Sequence, residues 1–498
     1  MTASPPPAAA GLRGSGEGTS GGGLVRRLSL LDSISLVVGT IVGTGVLLKA
    51  AVMTQQLGST WAVLAAWLAA GVLTLFGALA YAELGAMMPE AGGEYVFLRA
   101  AYGDAVAFLY GWVRFTAGSG SLAALGVSFA TFLSPLVSLG GAWVRVAGTV
   151  WGVPVHWSFG APQAVAIVPI LTLAVINCAG VRAGGRVQVA LATIKVLAVI
   201  GIVAGALAAA RGGSWAHFAH PAPGGAVSVS AFGAALVGAV WAYSGWSYLP
   251  MAAGEIRNPG RNVPRALIGG TFIVIVLYLA IDAAYFYALP AATVASANST
   301  LHPGAPAVAA LAVGSFLASD TTKLAALVFI IATLGTMNGG LLSNSRVLFA
   351  MSRTRQFFPV FGRVTRRSHV PGWAIAAFAA WASVLATSGT YDQLSDLAVF
   401  AFMIFFALTV TAVFRLRATQ PDRPRPYRVT GYPVVPAIYV VATVWMIGNA
   451  VTTAPAQAIA ALGFLVVGIP VYAWFRARRS RDVAAAPADP APAAPTLR

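Results

Sequence analysis

The sequence predicts an all-α membrane protein with twelve transmembrane helices, in which two inverted groups of five spans are followed by two more. Three observations predict this fold: the composition, the long apolar runs, and glycine-rich interruptions in the first and sixth runs. Of 498 residues, 58% are hydrophobic and only 9% are charged, and the mean hydropathy is +0.79. Such a chain is too apolar for a water-soluble fold, and each run can cross a hydrocarbon core of about 30 Å. The runs cover residues 30–57, 60–88, 103–136, 163–181, 187–210, 229–256, 264–289, 323–351, 372–388, 393–416, 433–452 and 457–476.

Basic residues are distributed unevenly between the two sides of this predicted topology. The chain has 31 Lys and Arg residues against 14 Asp and Glu, a net charge of +17. If the amino terminus is inside, 25 basic residues fall at or near the cytoplasmic side, four fall at or near the outside, and the remaining two, Arg114 and Lys195, lie deep within spans. This asymmetry predicts a multi-pass protein of the cell membrane with both termini in the cytoplasm. The charge therefore reflects topology and not nucleic-acid binding.

The apolar runs also divide the chain into segments. We expect residues 1–27 and 482–498, which are rich in Ala, Pro, Gly and Ser, to be disordered cytoplasmic tails. Residues 28–211 form the first group of five spans and residues 229–417 the second. Residues 433–476 supply helices 11 and 12.

The first span is interrupted where glycine and threonine replace the leucines of a plain membrane anchor. Gly43, Thr44 and Gly45 lower the helix propensity of this stretch. Backbone can leave the helix inside a bilayer only where it lines a polar cavity, and the freed N–H groups then bind ligands. The half-helix that starts near Val46 would present these N–H groups to an anion. Alternatively, Gly39 and Gly43 form a small-residue helix contact.

The sixth span has a matching interruption at Trp241–Trp246, five spans after the first. Two broken helices at corresponding places in two groups of spans predict an inverted-repeat transporter with its site at the membrane midplane. Exposed carbonyls around Trp241 and Ser244 would suit an ammonium group. The two breaks together fit a zwitterion, and an α-amino acid is the simplest one.

Several motifs, in the same order along the chain, resemble the amino-acid/polyamine/organocation superfamily, and most of all its L-type amino-acid transporters. They are Gly39-Thr-Ile-Val-Gly-Thr-Gly-Val46, Tyr81-Ala-Glu-Leu-Gly-Ala-Met-Met-Pro-Glu-Ala-Gly-Gly-Glu-Tyr95, Trp241-Ala-Tyr-Ser-Gly-Trp246, Glu255-Ile-Arg-Asn-Pro-Gly-Arg-Asn-Val-Pro-Arg265, Gly335-Thr-Met-Asn-Gly-Gly340 and Arg423-Pro-Arg-Pro-Tyr-Arg-Val-Thr-Gly-Tyr-Pro433. The resemblance covers about residues 28–450. It implies the leucine-transporter-type fold with discontinuous helices 1 and 6.

The resemblance also implies which residues bind an amino acid. The substrate carboxylate falls on the backbone of Gly43, Thr44 and Gly45. The substrate amine falls on the carbonyls of Ile41, Trp241 and Ser244. The gate and side-chain pocket fall on Trp241, Ala242, Tyr243 and Val113.

Two departures from the family pattern bear on partners and substrates. Eukaryotic L-type transporters pair with a glycoprotein through a cysteine after the third span, but residues 137–162 contain no Cys, and Cys178 is the only cysteine in the chain. We therefore expect no disulfide-linked heavy chain, as in bacterial-like members. Ser244 stands where members that accept cationic amino acids can carry an acid, which favours neutral substrates.

Lys195 is expected close to the middle of the membrane, about 13 Å past Arg186 at 1.5 Å per residue. In the resembled family a lysine in the fifth span stands where sodium-driven relatives hold a cation, so Lys195 is expected to mimic that cation or to couple protons. Carbonyls of residues 40–42, with Ser343 or Asn344, would hold it. Snorkelling toward the cytoplasm is the alternative.

The sequence leaves two interpretations open for each of three further charged residues. Arg114 in the third span either has the role of a matching arginine in the L-type pattern, or it has a packing or water-cavity role. Glu83 and Glu255 are either inner-gate salt bridges or interfacial charges without a conformational role.

These observations favour a secondary amino-acid transporter that works by alternating access, with a small-molecule substrate, membrane lipid as its surroundings, and no cofactor. The chain has no G-x-x-x-x-G-K-[ST] motif, which excludes a built-in P-loop motor. The spans carry no cluster of His, Asp or Cys for an enzyme, and all five histidines fall in loops, so no metal site is expected. An amino-acid sensor, and exchange, uniport or proton symport, remain open from sequence.

Overall fold

The computed structural model describes residues 23–150, 153–299, 301–302, 304–317, 321–387, 391–453 and 455–484. Residues 1–22 and 485–498, which make up most of the two predicted tails, lie outside this range. Within it, ten helical spans are long and apolar enough to cross a membrane. Two shorter apolar helices, Val229–Ala242 and Gly372–Ala386, coincide with the predicted sixth and ninth runs. The prediction of a helical membrane protein is thereby confirmed.

Seventeen α-helices make up most of the described residues. In chain order they are α1 (Leu30–Ile41), α2 (Gly45–Leu57), α3 (Thr60–Met87), α4 (Glu94–Tyr102), α5 (Asp104–Leu133), α6 (Ala161–Ala179), α7 (Val181–Ala209), α8 (Val229–Ala242), α9 (Tyr248–Met251), α10 (Pro259–Ala288), α11 (Ala291–Ala295), α12 (Val308–Gly314), α13 (Thr321–Arg353), α14 (Gly372–Ala386), α15 (Tyr391–Thr419), α16 (Val434–Thr453) and α17 (Pro455–Ala484). Short 3₁₀ helices lie at Trp215–Ala219, Ala253–Glu255 and Pro359–Gly362.

The first span is two helices, as the glycine-rich stretch predicts. A capping box starts α1: the Ser29 N–H donates to Asp32 Oδ2 at 2.8 Å and the Asp32 N–H donates to Ser29 Oγ at 3.2 Å. The helix ends at Ile41, and α2 begins at Gly45. Residues 42–44 are therefore non-helical inside a stretch that is otherwise apolar.

The sixth span breaks slightly later than the sequence indicated. α8 continues through Trp241 to Ala242, and the turn occupies residues 243–247. The second half is the short helix α9 followed by the 3₁₀ turn Ala253–Glu255. The two broken spans thus differ, because the half that follows the second break is much shorter than α2.

Helix α10 packs against both broken spans and against α3 and α7. Glycines permit this close packing: a Cβ added at Gly270 would lie 2.8 Å from Val37 Cγ1 of α1, and one added at Gly71 of α3 would lie 2.8 Å from Ile275 Cγ1. Small residues allow helix backbones to approach in a membrane, where van der Waals packing drives association. α10 is therefore the element against which the first break is positioned.

A β-hairpin connects α5 to α6, which the all-α prediction did not include. Its strands are β1 (Ala142–Val150) and β2 (Val153–Gly160), paired antiparallel with Val146 opposite Trp157. The segment contains the β-branched and aromatic residues that favour strands. The described part of this connection thus contains a two-stranded antiparallel ribbon.

Candidate functional site

The two breaks touch each other. A Cβ added at Gly45 would lie 2.7 Å from Ala242 Cβ, and one added at Gly245 would lie 2.8 Å from the carbonyl carbon and oxygen of Thr40. Gly245 also has a φ of +124°, which side-chain-bearing residues rarely adopt. The Thr40 hydroxyl lies 3.0 Å from the Gly245 carbonyl, so a hydrogen bond can join the two breaks directly. Glycine is needed at both contact points.

One tyrosine of α10 holds both breaks. Tyr278 Oη lies 2.8 Å from the Ile41 carbonyl and 3.1 Å from the Ala242 carbonyl. These carbonyls lie at the ends of α1 and α8, where the helical hydrogen bonds stop. Sequence reasoning did not identify Tyr278, since its partners come from distant spans.

Replacing Tyr278 with phenylalanine is expected to lower thermal stability in detergent. The change leaves the Ile41 and Ala242 carbonyls without their buried donor, which costs about 1–3 kcal/mol. Thermal unfolding followed by tryptophan fluorescence measures the loss. Tyr427→Phe is the matched control, because among the described residues no hydrogen-bond partner contacts the buried Tyr427 hydroxyl. An unfolding temperature equal to that of wild type in Tyr278→Phe would contradict the bridging role.

A cavity of about 140 Å³ lies where the breaks meet. One water needs only about 10–15 Å³, so a small organic solute fits. Residues of both breaks and of four further helices line the cavity. They are Thr40, Ile41, Gly43, Thr44, Gly45, Arg114, Ser121, Ala124, Leu125, Val237, Val240, Trp241, Ala242, Ser244, Gly245, Ser247, Tyr248, Thr336, Phe402, Met403, Phe406, Tyr439, Thr443 and Met446.

The predicted carboxylate residues Gly43, Thr44 and Gly45 all line the cavity. Among the described hydrogen bonds, none uses the amide of Thr44 or Gly45 as donor. These amides stand at the start of α2, where the helix dipole is positive. The first break thus presents unpaired donors and a positive helix end to the cavity, which suits an anionic group such as a carboxylate.

The predicted amine residues Ile41, Trp241 and Ser244 also line the cavity. The Ile41 carbonyl already accepts from the Tyr278 hydroxyl, and the Trp241 carbonyl accepts from the Ser244 N–H at 2.9 Å. A carbonyl oxygen has two lone pairs, so each retains one acceptor position. These carbonyls can serve a cationic group, although two of the three share their oxygen with a protein donor.

The structure divides the residues predicted as gate and side-chain pocket. Trp241 and Ala242 line the cavity, and the Lys49 ammonium lies 5.1 Å from the centroid of the Trp241 ring. Tyr243 and Val113 are fully buried and do not line it. Tyr243 turns away because its ring packs against Trp67 of α3. Its placement in the pocket is therefore corrected: it lies behind the second break.

Lys195 contacts the first broken helix, but one residue earlier than expected. Its ammonium donates to the Gly39 carbonyl at 2.8 Å and lies 3.3 Å from Thr336 Oγ1. Gly335 permits this position, since a Cβ there would lie 2.6 Å from Lys195 Cε and Nζ. The eighth-span contact is therefore Thr336 and not Ser343 or Asn344. Lys195 is buried and ties α1, α7 and α13 together.

Arg114 is a buried cation in the cavity wall. Its guanidinium carbon lies 4.3 Å from the centroid of the Phe402 ring, and Nη2 lies 3.3 Å from Ser247 Oγ and 4.0 Å from Glu94 Oε1. Arg114 thus packs against Phe402 and lines the cavity at the same time.

Two buried carboxylates form ion pairs near one end of the bundle, and one of them belongs to the second broken span. We call this end the basic face; residues 24–26, 258–265, 353–354 and 423–427 contribute to it. Glu255 accepts two hydrogen bonds from Arg346, both at 3.0 Å, and both side chains are buried.

The second ion pair joins α3 to α15. Glu83 accepts from Arg417 at 2.9 and 2.6 Å and also from the Val429 N–H at 2.7 Å. Charges that are paired at this depth cannot separate without desolvation cost. Both carboxylates therefore hold helices together in this conformation.

Comparison with known proteins assigns the chain to a family. Residues 28–470 match the family model described as "Amino acid permease". The chain belongs to the amino acid permease family. The predicted resemblance to the amino-acid/polyamine/organocation superfamily is thereby confirmed, and the permease is a multi-pass membrane protein of a family of transporters.

Three relatives of the permease cover most of its length. The serine/threonine exchanger SteT of Bacillus subtilis is 31% identical over 93% of this chain and 99% of its own. The b(0,+)-type amino acid transporter 1 of Homo sapiens is 28% identical over 85% of this chain and 82% of its own. The large neutral amino acids transporter small subunit 2 of Rattus norvegicus is 25% identical over 92% of this chain and 82% of its own.

Proposed function

We propose that this permease is a secondary-active transporter of neutral L-amino acids, working by alternating access as an exchanger or by sodium-independent uptake. One observation carries the proposal: a single cavity is lined by both helix breaks, with unpaired amides at Thr44 and Gly45 of the first break and carbonyls at Trp241 and Ser244 of the second. A zwitterion complements this arrangement. The names of the relatives, a serine/threonine exchanger and a large neutral amino acids transporter subunit, support the same class.

In the proposed topology, the ten long spans and the two shorter apolar helices make twelve crossings. Residues 28–211 and 229–417 are the two inverted repeats. The basic face is cytoplasmic, in the cell membrane, with both termini on that side, because Lys and Arg accumulate in cytoplasmic loops. No heavy chain is disulfide-linked to the permease, since residues 137–162 lack cysteine.

Counterflow in proteoliposomes tests the proposed function. Purified protein is reconstituted in sodium-free vesicles that contain unlabelled serine, and entry of labelled serine is followed at equal pH on both sides. We expect rapid labelled uptake, with threonine, alanine and leucine competing. Vesicles without internal substrate separate exchange from uniport. A purified protein that binds serine but moves none would support a sensor instead.

The neutral character of Ser244 should set the charge preference. Ser244→Asp places a carboxylate beside the proposed amine site, where it can pair with a second positive charge on the substrate. We expect lysine to compete at least about tenfold better than in wild type, the effect of about 1.4 kcal/mol. Ser244→Asn is the matched neutral control. Strong competition by arginine and none by alanine in wild type would reverse the assignment.

A further inference from the structure

Asp282 is a buried carboxylic acid that no step described above uses. It lies on α10, one helical turn past Tyr278 and six residues before the helix ends at Ala288. Its side chain is completely buried within a membrane-spanning helix. Ionisable residues in such positions are rare and are associated with function.

Aromatic residues surround this carboxyl group. The rings of Trp67, Tyr243 and Tyr278 pack together, with centroid distances of 5.9 Å for Trp67–Tyr243, 5.3 Å for Trp67–Tyr278 and 4.8 Å for Tyr243–Tyr278. The Trp67 indole, the three tyrosines Tyr243, Tyr278 and Tyr285 and the Asp282 carboxyl interact electrostatically. Asp282 therefore sits among neutral groups that can donate hydrogen bonds.

The polar atoms of this cluster are left incompletely bonded. Among the described residues, no hydrogen-bond partner of normal geometry contacts either Asp282 oxygen, Trp67 Nε1, Tyr243 Oη or Tyr285 Oη. Groups like these are paired in most buried sites, by protein or by water. The cluster thus holds unpartnered donors beside an unpartnered carboxyl group.

No cation in the described part of the chain neutralises Asp282. The charged or titratable side chains on the elements that pack against α10 are engaged elsewhere or lie at the basic face. Six of these side chains contact another residue: Lys195 contacts Gly39, Lys49 contacts Trp241, His217 contacts Tyr287, Glu83 contacts Arg417, Glu255 contacts Arg346, and Asp32 contacts Ser29. The other four lie near helix starts: Arg182, Arg186, Arg261 and Arg265. A carboxylate without a partner is strongly disfavoured in an apolar interior, whereas the neutral acid is tolerated.

We propose that Asp282 is a proton-binding residue that couples amino-acid transport to proton movement. The inference extends the proposed function, because it adds an ion to the transport cycle. While the cluster is closed, as here, Asp282 holds its proton. When the broken helices move, water reaches the carboxyl group and the proton can be exchanged with that side of the membrane.

The connection to the moving parts is short. Tyr278, one turn from Asp282, bonds to carbonyls of both breaks, and Tyr243 belongs to the second break. Displacement of the breaks relative to α10 therefore separates Tyr243 and Tyr278 from their present partners. On the more acidic side, the carboxylate takes a proton from water. On the other side, the neutral acid returns that proton to water, so one proton moves per cycle.

A pH-gradient experiment tests this assignment. Serine uptake is measured in sodium-free proteoliposomes with the outside more acidic than the inside. We expect wild type to accumulate serine by up to about tenfold more per pH unit, the limit for one proton per substrate. Asp282→Asn keeps the shape but cannot release a proton, so its uptake should ignore the gradient. Asp422→Asn, which removes an exposed loop carboxylate, should respond as wild type does.

Two further measurements keep the outcome decisive. Serine counterflow at equal pH should survive in Asp282→Asn, so loss of proton coupling is distinguishable from loss of transport. If this variant does not fold, acidification of a trapped pH dye during serine entry is measured in wild type and in Asp282→Glu. Three results would overturn the assignment. They are wild-type serine uptake that does not depend on the pH gradient, uptake by Asp282→Asn that does depend on it, and a gradient response that only Lys195→Ala abolishes.

Discussion

Replacing Gly45 with valine is expected to lower amino-acid transport by at least about a hundredfold, which corresponds to about 2.7 kcal/mol. The new side chain meets Ala242, because even a Cβ at residue 45 would lie 2.7 Å from Ala242 Cβ. It would push the two breaks apart and displace the Thr44 and Gly45 amides from the cavity. Binding and uptake of labelled serine measure the loss, and size-exclusion chromatography checks that the protein still folds.

Two companion variants make the result specific. Gly238→Val introduces the same side chain into α8 at a point with no heavy atom within 4 Å, and should leave transport near the wild-type level. Gly45→Ala should be impaired, and adding Ala242→Gly should restore part of the activity by removing the clashing Cβ. Wild-type serine affinity in Gly45→Val would rule out the contact of the breaks as a requirement for binding.

Removal of the Lys195 ammonium is the second large effect that we expect. Its hydrogen bond to the Gly39 carbonyl joins α7 to the end of α1, and a hydrogen bond to a charged group contributes about 1.5–3 kcal/mol. Lys195→Ala should therefore slow serine exchange by roughly 10- to 150-fold while reducing the yield of folded protein far less. The readout is initial exchange rate per reconstituted molecule.

The role of the charge is separable from the role of the side-chain length. Lys195→Met keeps most of the length and loses the charge, so it should behave like Lys195→Ala if the ammonium acts as a tethered cation. Wild type should transport equally well when choline replaces sodium. A strict sodium requirement in wild type, or undiminished exchange in Lys195→Ala, would exclude that role.

The first break could be predicted because its cause is local. Gly43, Thr44 and Gly45 lower helix propensity at one point in an apolar run, and α1 and α2 end and begin around them. The second break was located to within about two residues. Its start shifted because nothing in Trp241 or Ala242 opposes a helix, whereas Gly245 adopts a φ of +124°.

Contacts between distant spans could not be read from the chain. No local signal marks Tyr278, and the motif Gly335–Gly340 that contains Thr336 does not reveal its partner, because both roles come from the residues that the fold brings to them. The resemblance implies a pocket position for Tyr243 together with Trp241 and Ala242, but successive residues in a turn point in different directions. Asp282 does carry a sequence signal, since an acidic residue inside a long apolar run is rare and indicates a functional position.

The amino-terminal segment bears on how this permease is best handled and observed. Leu24 is buried, the amides of Arg27 and Leu28 both donate to the Glu255 carbonyl, and the Arg257 amide donates to the Leu28 carbonyl. The segment is therefore hydrogen-bonded to the backbone of Glu255, whose side chain pairs with Arg346. Any rearrangement that separates this pair also strains or releases the segment. A fluorophore or affinity tag just before residue 24 would therefore perturb these backbone hydrogen bonds, whereas the same label after residue 484 would not.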